Sequence, residues 1–435
     1  MPRVFRVRFS KNARSVDPNL HVDAASHQAF ISAHIHRKSR PPLWRLETPE
    51  FRKKTTVPAP SSSLAVDANL LQWWLDSTCK LFVLDPHSNP LSFPIVEHLA
   101  ISPALRFAIE SFSAGHKGLW GPNSRVEFLE KRGLALSLCR AELASKAVPL
   151  ETVFFTVLLV GVTTPFMGNI DDYGKEHLIG ARAITGLLLQ QDESERSSKI
   201  GQILAYYTWW DMACSFCIDP QELPPLSTSK VLSIIGRETQ PLPSRFAGCM
   251  VEIYHLLGLL LRYCMHVLRG GVRDAEHEKT LERALSDWNP MRVLDEDVIF
   301  AEAFQKHGLI IFHRVCHMRS ADFDEGAGPS TALTTQIRQY AITILSTVLN
   351  CQIGTPFWNN LTIPLLTAGA ELTMDDQALR ENVRQALSSV RFQCQTITLM
   401  RAQNLLEEIW SVRDRGIKIS YLELMLLKGW NFSLV

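Results

Sequence analysis

From Asp67 onward, apolar residues recur every three or four positions, the spacing that lays one face of an α-helix against a core. Asp67 stands where an N-cap belongs, just ahead of Leu70, Leu71, Trp73, Trp74 and Leu75. The same rhythm predicts helices over about 93–114, 123–146, 149–164, 174–190 and 197–217. It continues over about 244–270, 274–287, 295–319, 331–350, 361–372, 376–392, 394–414 and 418–428. Pro and Gly interrupt it at Gly121-Pro122, Pro224-Pro225, Pro241–Pro243 and Gly326–Pro329. Alternating runs rich in β-branched residues are nearly absent, and no fixed-period repeat occurs. The expected fold class is all-α, a large multi-helix domain of about a dozen helices behind a short basic, partly flexible N-terminal arm.

Two segments are apolar enough to raise the question of a membrane. Val153–Val162 falls well short of the roughly twenty residues a span needs. Ile253–Leu268 is interrupted by His255, Arg262 and His266. Both read as buried core helices, and no membrane partner is expected. No apolar run follows Met1, so no secretory signal is expected.

Composition changes near residue 65. Pro41-Pro42 and Val57-Pro-Ala-Pro-Ser-Ser-Ser63 are loop sequence, which divides the chain into a basic arm and linker at 1–64 and a helical domain at 65–435. Within the arm, Val4–Phe9 alternates as a short strand would, and Ala24–Arg40 suits a helix with a basic last turn. The formal net charge is +1, but residues 1–60 carry twelve Lys and Arg against four Asp and Glu. A basic arm on a mildly acidic body suggests phosphate contact, nuclear import or docking onto the body. The candidate residues are Arg37, Lys38, Arg40, Arg52, Lys53 and Lys54. Only Trp44 and Phe51 interleave with them, too few for a base-stacking platform.

Catalytic and metal chemistry find little footing. The nine Cys are scattered from Cys79 to Cys394, mostly within apolar helical pattern, as reduced thiols would be. No run of six closely spaced Cys exists, so a binuclear zinc cluster is excluded within this chain. Cys214 and Cys217 form a lone C-x-x-C without a second pair and read as core thiols. His313 and His317 share one helix face at i, i+4, yet no third ligand is evident nearby in sequence. Asp171-Asp172 and Asp375-Asp376 stand where helices begin and read as caps and first-turn acids. Gly270-Gly271 follows a helix and reads as its C-cap. No nucleophile elbow, dinucleotide fingerprint or P-loop occurs. The chain is therefore expected not to be an enzyme, with no catalytic residue, no metal ligand and no cofactor.

The last eighty residues carry the most specific pattern. They run Thr355-Pro-Phe-Trp-Asn-Asn-Leu-Thr-Ile-Pro-Leu-Leu-Thr-Ala-Gly-Ala-Glu371, then Trp410-Ser-Val-Arg-Asp-Arg-Gly416, then Gly429-Trp430. This arrangement resembles the C-terminal end of the fungal-specific transcription factor domain, the helical regulatory domain usually found downstream of a zinc cluster. The resemblance extends over about 65–435. It departs from the family where Thr362-Ile-Pro-Leu-Leu-Thr replaces the more usual Trp-Pro start, with Trp358 further upstream. It makes Trp358, Pro364, Gly369, Glu371, Trp410, Asp414, Gly416, Gly429 and Trp430 fold-keeping positions, with Glu371 inside a helix. The order of Val4–Phe9, Pro18 and Ala24–Arg40 also resembles a subgroup of the family that lacks the zinc cluster. The resemblance implies a nuclear transcription regulator. Its partners would be other regulators or a second copy of itself, and DNA would be reached through a partner. Such regulators are common in specialised-metabolite gene clusters. The identity of any small-molecule effector stays open. Two other readings remain: an all-α ligand-binding protein or enzyme on the same scaffold, and a scaffold or dimerisation module without a nucleic-acid role.

Overall fold

Helix follows helix along the chain, and each packs on a near neighbour in sequence. The computed structural model describes residues 66–82, 89–118, 122–167, 172–191, 200–237, 249–289, 295–318, 331–351, 360–394 and 397–433. The chain divides into two units, Met1–Thr55 and Thr56–Val435, and every described residue belongs to the second. The described residues form sixteen α-helices and no strand, so the all-α expectation holds. The expected strand at Val4–Phe9 and helix at Ala24–Arg40 lie outside the described residues.

The first half comprises α1 (Ala68–Asp76), α2 (Phe93–Leu99), α3 (Pro103–Gly118), α4 (Pro122–Ser145), α5 (Leu150–Val162), α6 (Lys175–Leu188), α7 (Ile200–Cys214) and α8 (Thr228–Arg237). The second comprises α9 (Cys249–Leu268), α10 (Ala275–Ser286), α11 (Asp295–Phe312), α12 (Thr331–Asn350), α13 (Thr362–Ala370), α14 (Gln377–Cys394), α15 (Ile397–Asp414) and α16 (Tyr421–Lys428). The packing order runs from α3 and α4 through α5, α6 and α7 to α9, then through α11 and α12 to α13 and α15.

Local chemistry sets the boundaries. Asp67 caps α1 as expected, its carboxylate accepting from the backbone N–H of Asn69 and Leu70 at 3.1 Å each. The helix expected over 93–114 is two helices. Pro103 lacks a donor and disfavours helical backbone at Ser102, so the chain breaks there and restarts with Pro in the first turn. Ser102 caps the new helix by accepting from the Leu105 N–H at 3.0 Å. Helix α8 was not expected. It is a short segment of ten residues that buries Val231 and Ile234. Gly270, at φ 87°, ends α9 as the C-cap reading requires.

Three helices lie inside the others, and their sequences say why. Every residue of α13 is buried, nearly all of α7 is, and ten of the thirteen in α5 are. A helix apolar all round has no solvent face to offer. Helix α9 is long and apolar enough to cross a membrane, but 78% of its apolar window is buried within this fold, which makes it a core helix. The ends of the domain are fastened to its middle. The Ser433 hydroxyl donates to the Ala213 carbonyl at 3.3 Å, and Phe432 is buried beside it. His116 on α3 lies 3.1 Å from the Gln393 carbonyl on α14.

Candidate functional site

Four of the family-pattern residues, Gly369, Glu371, Trp410 and Asp414, meet at one place, the C-terminal end of α13. That helix is only nine residues long and fully buried, so its last carbonyls need partners away from water. They find them on α14 and α15. The Trp410 indole N–H donates to the Gly369 carbonyl at 2.8 Å. The Arg413 guanidinium donates to the Ala370 carbonyl. Arg380 donates to the Leu372 carbonyl at 3.0 Å and is held by Asp414 through two bonds of 2.7 Å. Both Arg380 and Arg384 lie over the Trp410 ring, 5.0 and 4.9 Å from its centroid.

Glu371 completes the cluster and corrects an expectation. The pattern placed it inside a helix, whereas α13 stops at Ala370 and Glu371 forms its C-cap. A carboxylate is the wrong charge for the negative end of a helix and is costly to bury. Two guanidinium groups offset both penalties. Arg314 grips it in a forked pair, with Nε at 3.1 and 3.0 Å from the two carboxylate oxygens, and Arg413 reaches it at 3.0 Å. Burial pushes the Glu371 carboxyl up, but Arg413 and Arg314 outweigh it and hold the group below the usual carboxylate range.

The remaining pattern positions are backbone devices. Pro364 is the third residue of α13, in the first turn, where the missing N–H costs nothing. A Cβ on Gly369 would stand 3.1 Å from Val383 and 3.5 Å from Leu406, so the bare backbone lets α13 sit tight against α14 and α15. Gly416 (φ 84°) and Gly429 (φ 64°) adopt the left-handed conformation that closes α15 and α16. Trp430 is half-buried, with the Lys428 ammonium 4.9 Å from its ring centroid. Trp358 and the six arm residues Arg37, Lys38, Arg40, Arg52, Lys53 and Lys54 lie outside the described residues.

The candidate chemical groups take structural positions. Cys214 and Cys217 are buried core thiols, and burial pushes Cys214 up to about 12. Asp172 accepts from the Gly174 N–H at 2.9 Å, just before α6. Asp376 forms a capping box with Thr373 and is clasped by Arg338 at 2.8 and 2.7 Å. Arg132 donates to the Val160 carbonyl and to the Thr163 and Thr164 hydroxyls, which places a cation at the C-terminal end of α5. Trp74, Trp209, Trp210, Trp288 and Trp410 are core residues.

Two polar arrangements were not evident from the sequence. The first joins α7 to α9. Arg262 clasps Asp211 at 2.8 and 2.6 Å, Tyr207 donates to the same carboxylate at 3.0 Å, and both charged residues are buried. Asp211 sits in an apolar helix, and 51 residues separate it from its partner. The second brings Glu282 on α10 beside His313 and His317, a third group that spacing along one helix could not reveal.

Buried histidines give the domain an acid limit. Burial, then the neighbouring Arg132 charge, lowers His177 from 6.5 to about 4, and burial alone lowers His307 to about 3. Both are neutral in the folded state at pH 6. The unfolded chain binds more protons than the fold once the pH falls below 6.5, so stability is complete above that value and is lost on the way down to about 4. Melting temperature measured from pH 7 to pH 4 is expected to fall steadily. The His307→Gln variant is expected to show a shallower slope. A flat profile in the wild type would contradict this assignment.

A cavity bounded by Met212, Phe216, Leu261, His307, Leu366 and Phe432 has a volume of about 10 Å³. That is at the lower limit for one water molecule.

The family model described as the fungal specific transcription factor domain matches residues 69–435. No curated protein and no solved structure matches the chain. The match spans most of the chain and includes the whole α13 cluster, and the chain belongs to the fungal-specific transcription factor domain family.

Proposed function

We propose that this protein regulates transcription in the nucleus through protein contacts, without a zinc cluster of its own, and that it reaches DNA through a partner. The observation that carries this reading is the family membership across the helical body. Two features of the sequence support the finer points. The first Cys of the chain is Cys79, so no zinc cluster precedes the helical domain within it. The basic residues concentrate in the first sixty positions, where they suit import or phosphate contact. Control of a specialised-metabolite gene cluster belongs to the same reading, with other regulators or a second copy as partners. A small-molecule enzyme or sensor would need a roomy pocket with convergent polar groups. The 10 Å³ cavity gives that alternative no support.

A fluorescent full-length fusion tests the reading. Nuclear signal is expected, with loss of most of it when Arg37, Lys38, Arg40, Arg52, Lys53 and Lys54 are all changed to Ala. Cytoplasmic signal in both forms would remove the regulator reading. Purified full chain is expected to bind a promoter duplex no better than scrambled DNA. A strong preference for one sequence would contradict action through a partner.

A further inference from the structure

We propose that Glu282, His313 and His317 form a binding site for a borderline divalent transition metal, with Zn²⁺ as the best fit. The inference is independent of the regulatory reading.

The site depends on a local departure from α-helical geometry. Helix α11 does not end at Phe312 but continues as one π-helical turn, His313–Met318. Single π turns inside helices recur at functional sites. The wider turn brings residues four apart closer to alignment, and the two imidazoles lie with ring centroids 5.1 Å apart and planes tilted by 31°. Their Nδ1 atoms are 3.2 Å apart. Two metal–nitrogen bonds of about 2.0–2.1 Å at a tetrahedral angle span roughly 3.3–3.4 Å. The pair is therefore already spaced as metal ligands.

Glu282 provides the third ligand from α10. Its carboxylate oxygens lie 3.7 Å from His313 Nδ1 and 3.7 Å from His317 Nε2. The distance to His313 Nδ1 is too long for a direct hydrogen bond and short enough for an ion shared with the two Nδ1 atoms, while His317 Nε2 is the other nitrogen of that ring and stays outside the ligand set. The ligand atoms of all three residues lie within 4.8 Å of one another.

The surroundings suit a metal site. His313 is buried, stacks on Tyr340 at an interplanar angle of 13° and is edged by Phe312, so its ring is held in place. His317 and Glu282 are each about one-third exposed, which leaves an entry path and a fourth position for water. Two imidazoles and one carboxylate favour zinc over the harder magnesium and calcium ions. A bound ion would tie α10 to the end of α11, next to Arg314 and the α13 cluster.

The test is a Zn²⁺ titration of metal-stripped full-length protein against a colorimetric chelator, with a Co²⁺ absorption spectrum to report ligand geometry. One Zn²⁺ per chain is expected, with visible Co²⁺ bands of a tetrahedral site. His317→Gln and Glu282→Gln are each expected to weaken Zn²⁺ binding at least ~10-fold, the loss that even an outer partner of a metal ligand causes. Both positions are part-exposed, so helical circular dichroism is expected to stay unchanged. Cys351→Ser is expected to bind as the wild type does. Absence of Zn²⁺ binding, equal binding in the two ligand variants, or displacement by Mg²⁺ would overturn the proposal.

Discussion

Replacing Glu371 by Ala is expected to destabilise the helical domain by about 3–5 kcal/mol, the range seen when one partner of a buried charge pair is removed. Glu371 is buried, and Arg314 and Arg413 both converge on it. Its loss leaves two guanidinium groups facing each other over the end of α13. Neither can shed its proton. Arg413 also serves the Ala370 carbonyl, so repulsion of that side chain would expose a backbone group as well. Glu371→Gln keeps the volume and one acceptor and is expected to cost less. Urea denaturation of the variants measures the effect, read as a shift in midpoint. A double-mutant cycle with Arg314→Met isolates the pair, because removal of the unpaired cation should recover part of the loss. A Glu371→Ala midpoint equal to wild type would contradict the account of the cluster. Because Glu371 is held below the ordinary carboxylate range, its contribution is present above that range and is lost as the pH falls through the folded-state value.

The second large effect is expected at the middle of the domain. Asp211→Ala should cost about 3–5 kcal/mol for the same reason, because Arg262 would remain buried and charged with no carboxylate beside it. The paired change Asp211→Leu with Arg262→Met removes both charges and fills the space. It is expected to restore most of the wild-type stability, since well-packed apolar replacements of buried ion pairs are often neutral or better. A single Asp211→Ala variant within about 1 kcal/mol of wild type would mean that water or another group reaches Arg262.

The helices were legible because their signals are local. Asp67, Gly270, Gly416 and Gly429 mark helix ends by properties of the residues themselves, and the three- and four-residue apolar spacing marks what lies between. Helix α8 escaped because it is only ten residues long and lies between the proline breaks Pro224-Pro225 and Pro241–Pro243. The break before Pro103 was missed because apolar spacing continues on both sides of it. The α13 cluster was legible as a set of positions and not as an arrangement. The family resemblance gave Gly369, Glu371, Trp410 and Asp414, but what joins them is the end of α13, where an indole 41 residues away serves one of the carbonyls. Arg314 and Arg380 were invisible for the same reason, as was Glu282 beside His313 and His317. Pairings across the fold depend on which faces meet, and a single sequence does not state that.

We propose that this helical chain acts on genes. Its most direct test is chromatin recovered by crosslinking with a tagged full-length protein, sequenced beside an untagged control. The account predicts discrete promoters enriched above the control, with transcripts of the adjacent genes changed when the protein is removed. Uniform background across the genome, with no transcript change on removal, would contradict it.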